Sequence, residues 1–231
     1  MPTAAPAEIA PLAKGMGARG YRKGDEARAR ILEAALAAFG AEGFKGATTR
    51  QIAEEAGVNL PALKYYFGGK EGLYRACAQE IVDRYSRRLL TPIAGAWTAL
   101  PPEPSPDAAR AALKAVLGAL AELLVGTREA ERWTGFVLRE MTEPGPAFDI
   151  LYSQVWAPGV ELVAQLIGRI LPGLSTEAAR IEAFLLVSSL TSFSIVRPVA
   201  LKYLDWPDAT GERLAAVRMI VDGQVDRLGR G

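Results

Sequence analysis

The stretch QIAEEAGVNLPALKYYFGGK, residues 51–70, contains two short helix patterns that follow one another almost without a loop. Thr48 stands three residues before Gln51, which is the spacing of a capping box. One helix therefore begins after Thr48 and ends at Gly57. Asn59 is a favourable N-cap for the next helix, and Pro61 falls in its first turn. Helices this short are unstable alone. The stretch therefore predicts two crossed helices that pack on a third.

Two short helices joined by Ala-Gly-Val are typical of a helix-turn-helix, in which the second helix reads the DNA major groove. Lys64 can meet a phosphate or a guanine edge, and tyrosine hydroxyls can donate to phosphates. Arg50 precedes the turn within reach of the same groove, and Lys70 stands at a helix N-terminus, which suits a phosphate. The predicted DNA contacts are Thr48, Arg50, Asn59, Leu60, Ala62, Lys64, Tyr65, Tyr66 and Lys70.

The same spacing also fits a helical hairpin that serves only for packing. Aromatic side chains at helical spacing usually belong to a core. We assign Phe67 to the core, whereas Tyr65 and Tyr66 fit a core and a DNA-facing surface equally well. On this alternative, Lys64 is a solvated surface charge.

The composition excludes several classes of protein. The chain has 231 residues and a net charge of +1, with no His and a single cysteine, Cys77. A Ser-His-Asp triad, a Cys-His pair and a His metal site cannot be built, so we expect neither an enzyme nor a bound metal or cofactor. Residues 1–90 carry 14 Lys and Arg against 10 Asp and Glu, which favours an anion-facing N-terminal part.

No targeting segment or membrane partner is predicted. Residues 1–22 are rich in Ala, Pro and Gly and lack the apolar centre of a signal peptide, so we interpret them as a flexible basic arm. The longest uncharged apolar run, 183–196, is too short to span a bilayer. We therefore expect a cytoplasmic protein.

Apolar residues three and four apart recur along the chain, which predicts an all-α protein. The first helix is expected over about 25–42, and a long helix begins near Lys70. Helix 175–197 is apolar on all sides, which predicts that it is buried. The later helices are predicted near 107–126, 129–142, 147–170, 175–197 and 210–228, with an irregular connector over 198–207.

Residues 25–73 resemble the DNA-binding domain of the TetR family of transcriptional regulators. The family often has Tyr where this chain has Lys64 and His where it has Tyr66, so the operator sequence does not carry over. KYYFGGKEGLY and LREMTEPGPAFDILY further resemble the CecR-like subgroup. The TetR resemblance rests on matches in order within ILEAALAAFGAEGFKGATTRQIAEEAGVNLPALKYYFGGKEGLY: Ala35, Phe39, Gly43, Phe44, Thr48, Ile52, Ala53, Ala56, Gly57, Val58, Leu63, Tyr66, Phe67, Lys70, Glu71 and Leu73.

The resemblance implies an arm over 1–22, a three-helix DNA-binding domain over 23–70, and a helical effector-binding and dimerisation domain over 71–231. It also implies that two copies pair through their last two long helices. In the last helix, apolar residues three and four apart allow a packing seam. The alternative is that the same residues belong to the core of one chain. The seam consists of Leu214, Val217, Val221, Val225 and Leu228.

A small-molecule effector is implied by the same resemblance. Such a ligand usually occupies a roomy apolar cavity with a few polar groups, so Arg139 and Glu140 are candidate polar handles. The alternative is that the aromatic residues fill the core and that Arg139 and Glu140 form an ion pair. The candidate pocket residues are Trp97, Trp133, Phe136, Arg139, Glu140, Phe148, Tyr152, Trp156 and Phe193.

The sequence thus favours a homodimeric, ligand-responsive repressor that binds a near-palindromic double-stranded operator and is released by an effector. The alternative is an α-helical enzyme or small-molecule carrier without DNA binding, in which Glu140 and Glu143 supply acid–base chemistry. An architectural DNA-binding protein is disfavoured, because non-specific affinity requires many basic contacts.

Overall fold

The structure, a computed structural model, describes residues 17–98, 105–127 and 131–229, and all regular structure within them is helical, as predicted. Two π-helical turns interrupt the α-helices: Glu122–Gly126 continues α5, and Tyr152–Trp156 joins α7 to α8. The α-helices are α1 (Gly17–Gly46), α2 (Thr49–Glu55), α3 (Leu60–Phe67), α4 (Lys70–Thr98), α5 (Pro106–Ala121), α6 (Glu131–Thr142), α7 (Phe148–Leu151), α8 (Ala157–Ile170), α9 (Thr176–Ile195), α10 (Arg197–Tyr203) and α11 (Glu212–Arg227).

Two predicted segments differ from the structure. Residues 17–22 were expected to be a flexible arm, but their backbone forms the first turns of α1, while residues 1–16 of the predicted arm lie outside the described residues. The connector predicted over 198–207 contains α10 instead. A helix can begin there because Pro198 occupies the first turn, where a missing N–H group is tolerated.

The turn between α2 and α3 is set by a helix-ending motif. Gly57 adopts a φ of 63°, which a residue with a Cβ rarely takes. Its N–H group donates to the Glu54 carbonyl, and the Val58 N–H group donates to the Ala53 carbonyl at 2.9 Å. These two bonds form the Schellman arrangement and satisfy carbonyls at the end of α2. The chain can therefore enter α3 immediately.

A first hydrophobic core joins α1, α2, α3, the beginning of α4, and α6. Its centre is aromatic, because the Tyr74 ring lies 4.8 Å from the Phe39 ring and 4.6 Å from the Phe136 ring. Each such pair contributes about 0.5–1.5 kcal/mol beyond its buried area. The core is thus completed by α6, although α6 lies far along the chain from α1.

A second hydrophobic core is built from α5, α8, α9 and α11. Within the described part of the chain, it shares no buried residue with the first core. Of the described helices, only α9 is long and apolar enough to cross a membrane, judged by length and composition, with a mean hydropathy of 1.3. Its predicted burial is wrong, because only 17% of the apolar window is buried. The helix packs along α8 and leaves Phe184 and Leu185 about 60% exposed. An isolated chain therefore leaves an apolar face of α9 uncovered.

The turn between α3 and α4 depends on Gly72. A Cβ at this position would lie 2.0 Å from the carbonyl oxygen of Phe67, which is backbone and cannot move aside. We expect Gly72→Ala to lower the free energy of unfolding by about 1–3 kcal/mol, the usual cost of overpacking.

Gly95→Ala is the matched control, since Gly95 is in the same helix and its Cβ would meet no atom within 4 Å. It should raise stability by up to about 1 kcal/mol, because alanine favours helix. Urea unfolding followed by circular dichroism measures both changes. Equal stability of the two variants would contradict the proposed clash.

Candidate nucleic-acid interface and ligand cavity

The outer face of α3 is a strongly exposed surface at the tip of the first core. Tyr65 is 84% exposed and Leu60 is 46% exposed. Asn59 and Lys64 are exposed beside them, and Arg50 is exposed on α2. A large apolar or aromatic side chain left in solvent on a short, well-capped helix indicates a surface that meets a partner.

The predicted residues Thr48 and Asn59 hold the two short helices in place. The Thr48 hydroxyl accepts from the Gln51 N–H group at 3.2 Å, and the Asn59 side-chain oxygen accepts from the Ala62 N–H group at 2.9 Å. Each N-cap is worth about 1 kcal/mol. The Thr48 N–H group makes no bond to the Gln51 side chain among the described residues, so the predicted capping box is half formed; the Gln51 amide donates to Glu42 at 2.8 Å.

Basic residues of α1 fix α2 and α3 from behind. Arg30 donates to the Ala56 carbonyl at 3.1 Å, at the end of α2. The Arg28 guanidinium lies 5.6 Å from the centre of the Phe67 ring at the end of α3. These contacts hold the helix pair rigidly on α1, so that the face of α3 moves with α1.

Three of the predicted contacts are less available than the rest. Tyr66 is half-buried against the first core, and a Cβ on Gly24 would lie 3.4 Å from its hydroxyl. Ala62 is also half-buried. Lys70 donates to the Lys45 carbonyl at 3.2 Å and lies over the ring of Phe44. Of the predicted set on α3, Leu60, Lys64 and Tyr65 are therefore the exposed side chains.

A second candidate site is a cavity of about 230 Å³ that is lined by α4, α5, α6, α8 and α9 and is partly open to solvent beside Met141 and Phe184. Its walls are apolar except for a phenol and three hydroxyls. The lining residues are Tyr85, Leu89, Ile93, Val116, Leu120, Leu124, Val137, Met141, Val155, Trp156, Gly159, Val160, Leu162, Val163, Phe184, Val187, Ser188, Thr191, Ser192 and Ile195.

Of the predicted pocket residues, Trp156 lines this cavity. Trp133 and Phe136 lie in the first core instead, while Phe193 packs against the second core. Phe148 and Tyr152 stack on one another next to Trp156 without lining the cavity. The side chain of Trp97 lies outside the described residues.

Arg139 and Glu140 do not form the predicted ion pair, and they do not face the cavity. Arg139 Nε donates to the Gly40 carbonyl at 2.9 Å, and its Nη2 donates to the Ala41 carbonyl at 2.6 Å. Glu140 is 1% exposed and accepts from the Tyr74 hydroxyl at 2.6 Å and from the Gly145 N–H group at 3.2 Å. Burial and this hydrogen bond raise the pKa of Tyr74, so the phenol remains a donor.

Sequence reasoning missed the hydroxyl-bearing residues of the cavity. Ser188, Thr191 and Ser192 form the polar part of the cavity wall, although helix 175–197 was predicted to be apolar on all sides. Tyr85 of α4, which was not among the predicted pocket residues, also lines the cavity. Burial raises the pKa of Tyr85 to about 12, so it presents a neutral phenol. No periodicity distinguishes such a wall from ordinary packing.

Three of the five residues predicted for the dimer seam are not accessible to a second copy of the chain. Val221, Val225 and Leu228 are buried in the second core of the same chain, and Leu214 and Val217 pack against it. The three-and-four spacing therefore marks the inward face of α11, as the alternative interpretation held. The exposed apolar residues of α11 are Met219 and Ile220.

The chain matches two sequence families over distinct regions. Residues 31–77 match the model of the bacterial regulatory proteins of the tetR family, and residues 109–231 match the C-terminal domain of the HTH-type transcriptional dual regulator CecR. The HTH-type transcriptional dual regulator CecR of Shigella flexneri is 31% identical over 214 residues, covering 90% of this chain and 94% of that protein.

Two solved structures show the same fold. A TetR-like transcriptional regulator from Rhodococcus sp. RHA1 superimposes with a TM-score of 0.56 at 20% identity, covering 87% of this chain and 94% of that one. AibR, crystallised with isovaleryl coenzyme A and operator DNA, superimposes with a TM-score of 0.60 at 17% identity, covering 88% of this chain and 97% of that one.

We predict that Lys64→Ala weakens binding to the preferred DNA sequence. If Lys64 reads a base, the loss should be about 1–3 kcal/mol and should depend on one base pair. If it meets a phosphate, the loss should be similar for all sequences, and the slope of log affinity against log salt should fall by about one. Fluorescence anisotropy at several salt concentrations measures both quantities.

Lys202→Ala serves as the control, because Lys202 is an exposed lysine on α10, outside the α3 surface. It should leave the affinity unchanged. Equal affinities of the Lys64→Ala variant and the unmodified protein would remove Lys64 from the interface.

Proposed function

The chain belongs to the TetR family of bacterial transcriptional regulators, with a CecR-type C-terminal domain, and we propose that it is a repressor that binds a near-palindromic operator as a homodimer. It is a ligand-responsive, DNA-binding regulator and not an enzyme, as its family indicates. The observation that best supports the DNA-binding surface is the capped α2–α3 pair, which presents Lys64 and Tyr65 to solvent.

The DNA contacts that we propose extend from α3 to the ends of the neighbouring helices. Lys64 and Tyr65 would enter the major groove from α3. Arg50 is 85% exposed in its side chain and pairs only with the exposed Glu54, so a phosphate can replace that partner at little cost. Thr48 and Asn59 would contact the backbone while keeping their capping roles, and Leu60 would add an apolar contact to a base.

We further propose that a second copy of the chain covers the exposed face formed by α9 and α11. Ile181 and Leu185 are more than half exposed and line a shallow groove together with Gln224 and Arg227 of α11. Ile220 is 59% exposed and lies one turn before Gln224 on the same side of α11. Exposed apolar residues on two neighbouring helices, with polar residues between them, are typical of an interface between identical chains.

The cavity and the DNA-reading helices are linked in this proposal through α6. Val137 and Met141 of α6 line the cavity, and Arg139 of the same helix holds the carbonyl end of α1. A ligand that prefers one position of α6 would therefore favour one position of α1 and of the α3 surface. Such differential binding of two states is what release from DNA requires.

The predicted division into domains remains a proposal, as does a cytoplasmic location. The boundary at residue 70 falls at the start of α4. The first core nevertheless includes Leu73 and Tyr74 of α4 and Trp133 and Phe136 of α6. We therefore regard 23–70 as the DNA-reading unit and 71–231 as the unit that supports it, with a shared core. An intracellular location follows from the proposed DNA partner.

Selection from a random DNA pool tests the proposal that a dimer binds a two-fold site. We expect a near-palindromic consensus that the dimer binds far more tightly than random DNA. Leu185→Asp places two charges in the proposed contact and should yield monomers with operator affinity lower on the order of a hundredfold, because the second half-site is no longer tethered. Sedimentation velocity and anisotropy measure the two effects.

Ala111→Asp is the control for added surface charge, since Ala111 is an exposed alanine on α5. It should remain dimeric and bind DNA normally. A dimeric Leu185→Asp variant would show that the two copies associate elsewhere.

The role of α6 is tested by Arg139→Met, which keeps an apolar stem and removes both donors to α1. In the unmodified protein, operator binding should slow amide hydrogen exchange in α6 and around the cavity by about tenfold, corresponding to about 1–2 kcal/mol of coupling. In the variant this protection should be confined to α1–α4.

Arg110→Met is the matched control, because Arg110 likewise donates to carbonyls at a helix end, those of Val225 and Leu228, but within the second core. It should retain the full pattern of protection. Equal protection in both variants would show that Arg139 does not transmit the effect.

A further inference from the structure

Deepening the proposed function, on which the inference rests, we propose that the cavity takes an uncharged, mainly apolar molecule of small size. Among the described residues that line the cavity there is no Asp, Glu, Lys or Arg. A buried charge needs a partner of opposite sign or several hydrogen bonds. This wall offers neither to an ionised ligand.

Several charged residues that neighbour the wall in sequence bind partners elsewhere. Arg84 precedes the wall residue Tyr85, yet its guanidinium binds Glu33 and Glu80 on the other side of α4. Arg197, beyond the end of α9, donates to the Val125 carbonyl at 2.7 Å and is buried there.

The same holds for the charges of α6. Arg139 and Glu140 lie between the wall residues Val137 and Met141, but they bind the end of α1 and the Tyr74 hydroxyl. Turning any of these charges toward a ligand would leave its present partner unsatisfied. The charges of α6 are therefore held away from the cavity, whose described lining residues are uncharged.

The polar groups of the wall suit a single hydroxyl or carbonyl on the ligand. The hydroxyls of Ser188 and Ser192 donate no hydrogen bond within the described part of the chain, whereas the Thr191 hydroxyl donates to the Val187 carbonyl of its own helix. The Tyr85 phenol, on α4, stays protonated and its oxygen accepts from the Trp133 side chain, so its O–H group is left to donate. A ligand with one neutral polar end can thus be fixed in orientation while the rest remains in apolar contact.

The volume limits the length of the ligand. A dry protein cavity of about 150 Å³ holds a benzene molecule. On that scale, the cavity of about 230 Å³ accommodates about nine non-hydrogen atoms. 1-Octanol matches this size and has one neutral polar end. Octanoate and octylammonium match it in shape but carry a charge, so the three compounds separate the effect of charge from that of size.

The test measures binding of these three compounds to the full chain by isothermal titration calorimetry, with the fluorescence of Trp156 and the other tryptophans as a second readout. We expect 1-octanol to bind at least about a hundredfold more tightly than either charged analogue, because neither charge finds a partner in the wall. Stronger binding of octanoate or octylammonium, or no binding of 1-octanol, would overturn the inference.

A paired glycine exchange locates the site. Gly159 lines the cavity on α8, and Gly168 lies on the same helix away from it; a Cβ at either would meet no atom within 4 Å. Gly159→Leu fills the cavity and should weaken 1-octanol binding at least about tenfold, whereas Gly168→Leu should leave it unchanged. Both variants should fold, because leucine has a higher helix propensity than glycine. Unchanged binding in Gly159→Leu would overturn the assignment to this cavity.

Failure of the inference can be told apart from failure of the proposed function. Binding is measured without DNA, and operator affinity is measured separately by anisotropy with and without 1-octanol. If octanoate or octylammonium binds more tightly than 1-octanol while operator binding is intact, the proposed ligand class is overturned and the proposed function is not. Binding of 1-octanol at the cavity supports the ligand class, even if operator affinity does not change; such a result would overturn the coupling of cavity and DNA.

Discussion

The contact between α1 and α6 is the constraint on which the rest of the structure depends. A Cβ on Gly40 would lie 3.2 Å from the backbone nitrogen of Phe136, and a Cβ on Gly135 would lie 3.1 Å from the carbonyl oxygen of Gly40. The two backbones therefore meet directly. Gly43 turns the chain out of the helix with a φ of 74°, and Arg139 then satisfies carbonyls that the turn leaves exposed. Because of this contact, α6 completes the core beneath the DNA-reading helices.

The elements that the sequence predicted well are those specified by local chemistry. The N-caps at Thr48 and Asn59 and the turn at Gly57 are decided by bonds within a few residues, so a reader of the sequence can place α2 and α3. The family resemblance added the function of the pair. The start of α1 and the existence of α10 were missed, because intrinsic helix propensity is only a weak guide in Ala- and Gly-rich or Pro-containing segments.

The faces of the helices could not be assigned in the same way. Apolar spacing in α11 shows that a stripe is buried, but it does not show whether Val221 and Val225 meet their own chain or another; the structure places them in their own core. Sequence spacing likewise could not show whether the aromatic residues of α6 line a pocket or fill a core. Trp133 and Phe136 are large enough to line a pocket, but they are buried in the first core, where they pack beneath α1. Arg139 and Glu140 looked like ligand contacts, because their true partners are distant in sequence.

Helix α9 borders the cavity, the proposed dimer contact and the second core. Phe184 and Ser188 face the cavity, Leu185 faces the proposed partner, and Leu186 and Leu190 face the core. A ligand pressing on α9 would shift apolar surfaces that slide at little cost, because none of these contacts is directional. A ligand pressing on α6 would instead work against a backbone contact and a buried carboxylate bonded to Tyr74. Such contacts have discrete arrangements and not a continuum. The route through α6 is therefore the one that can convert a small change in the cavity into a defined change at the DNA-reading surface.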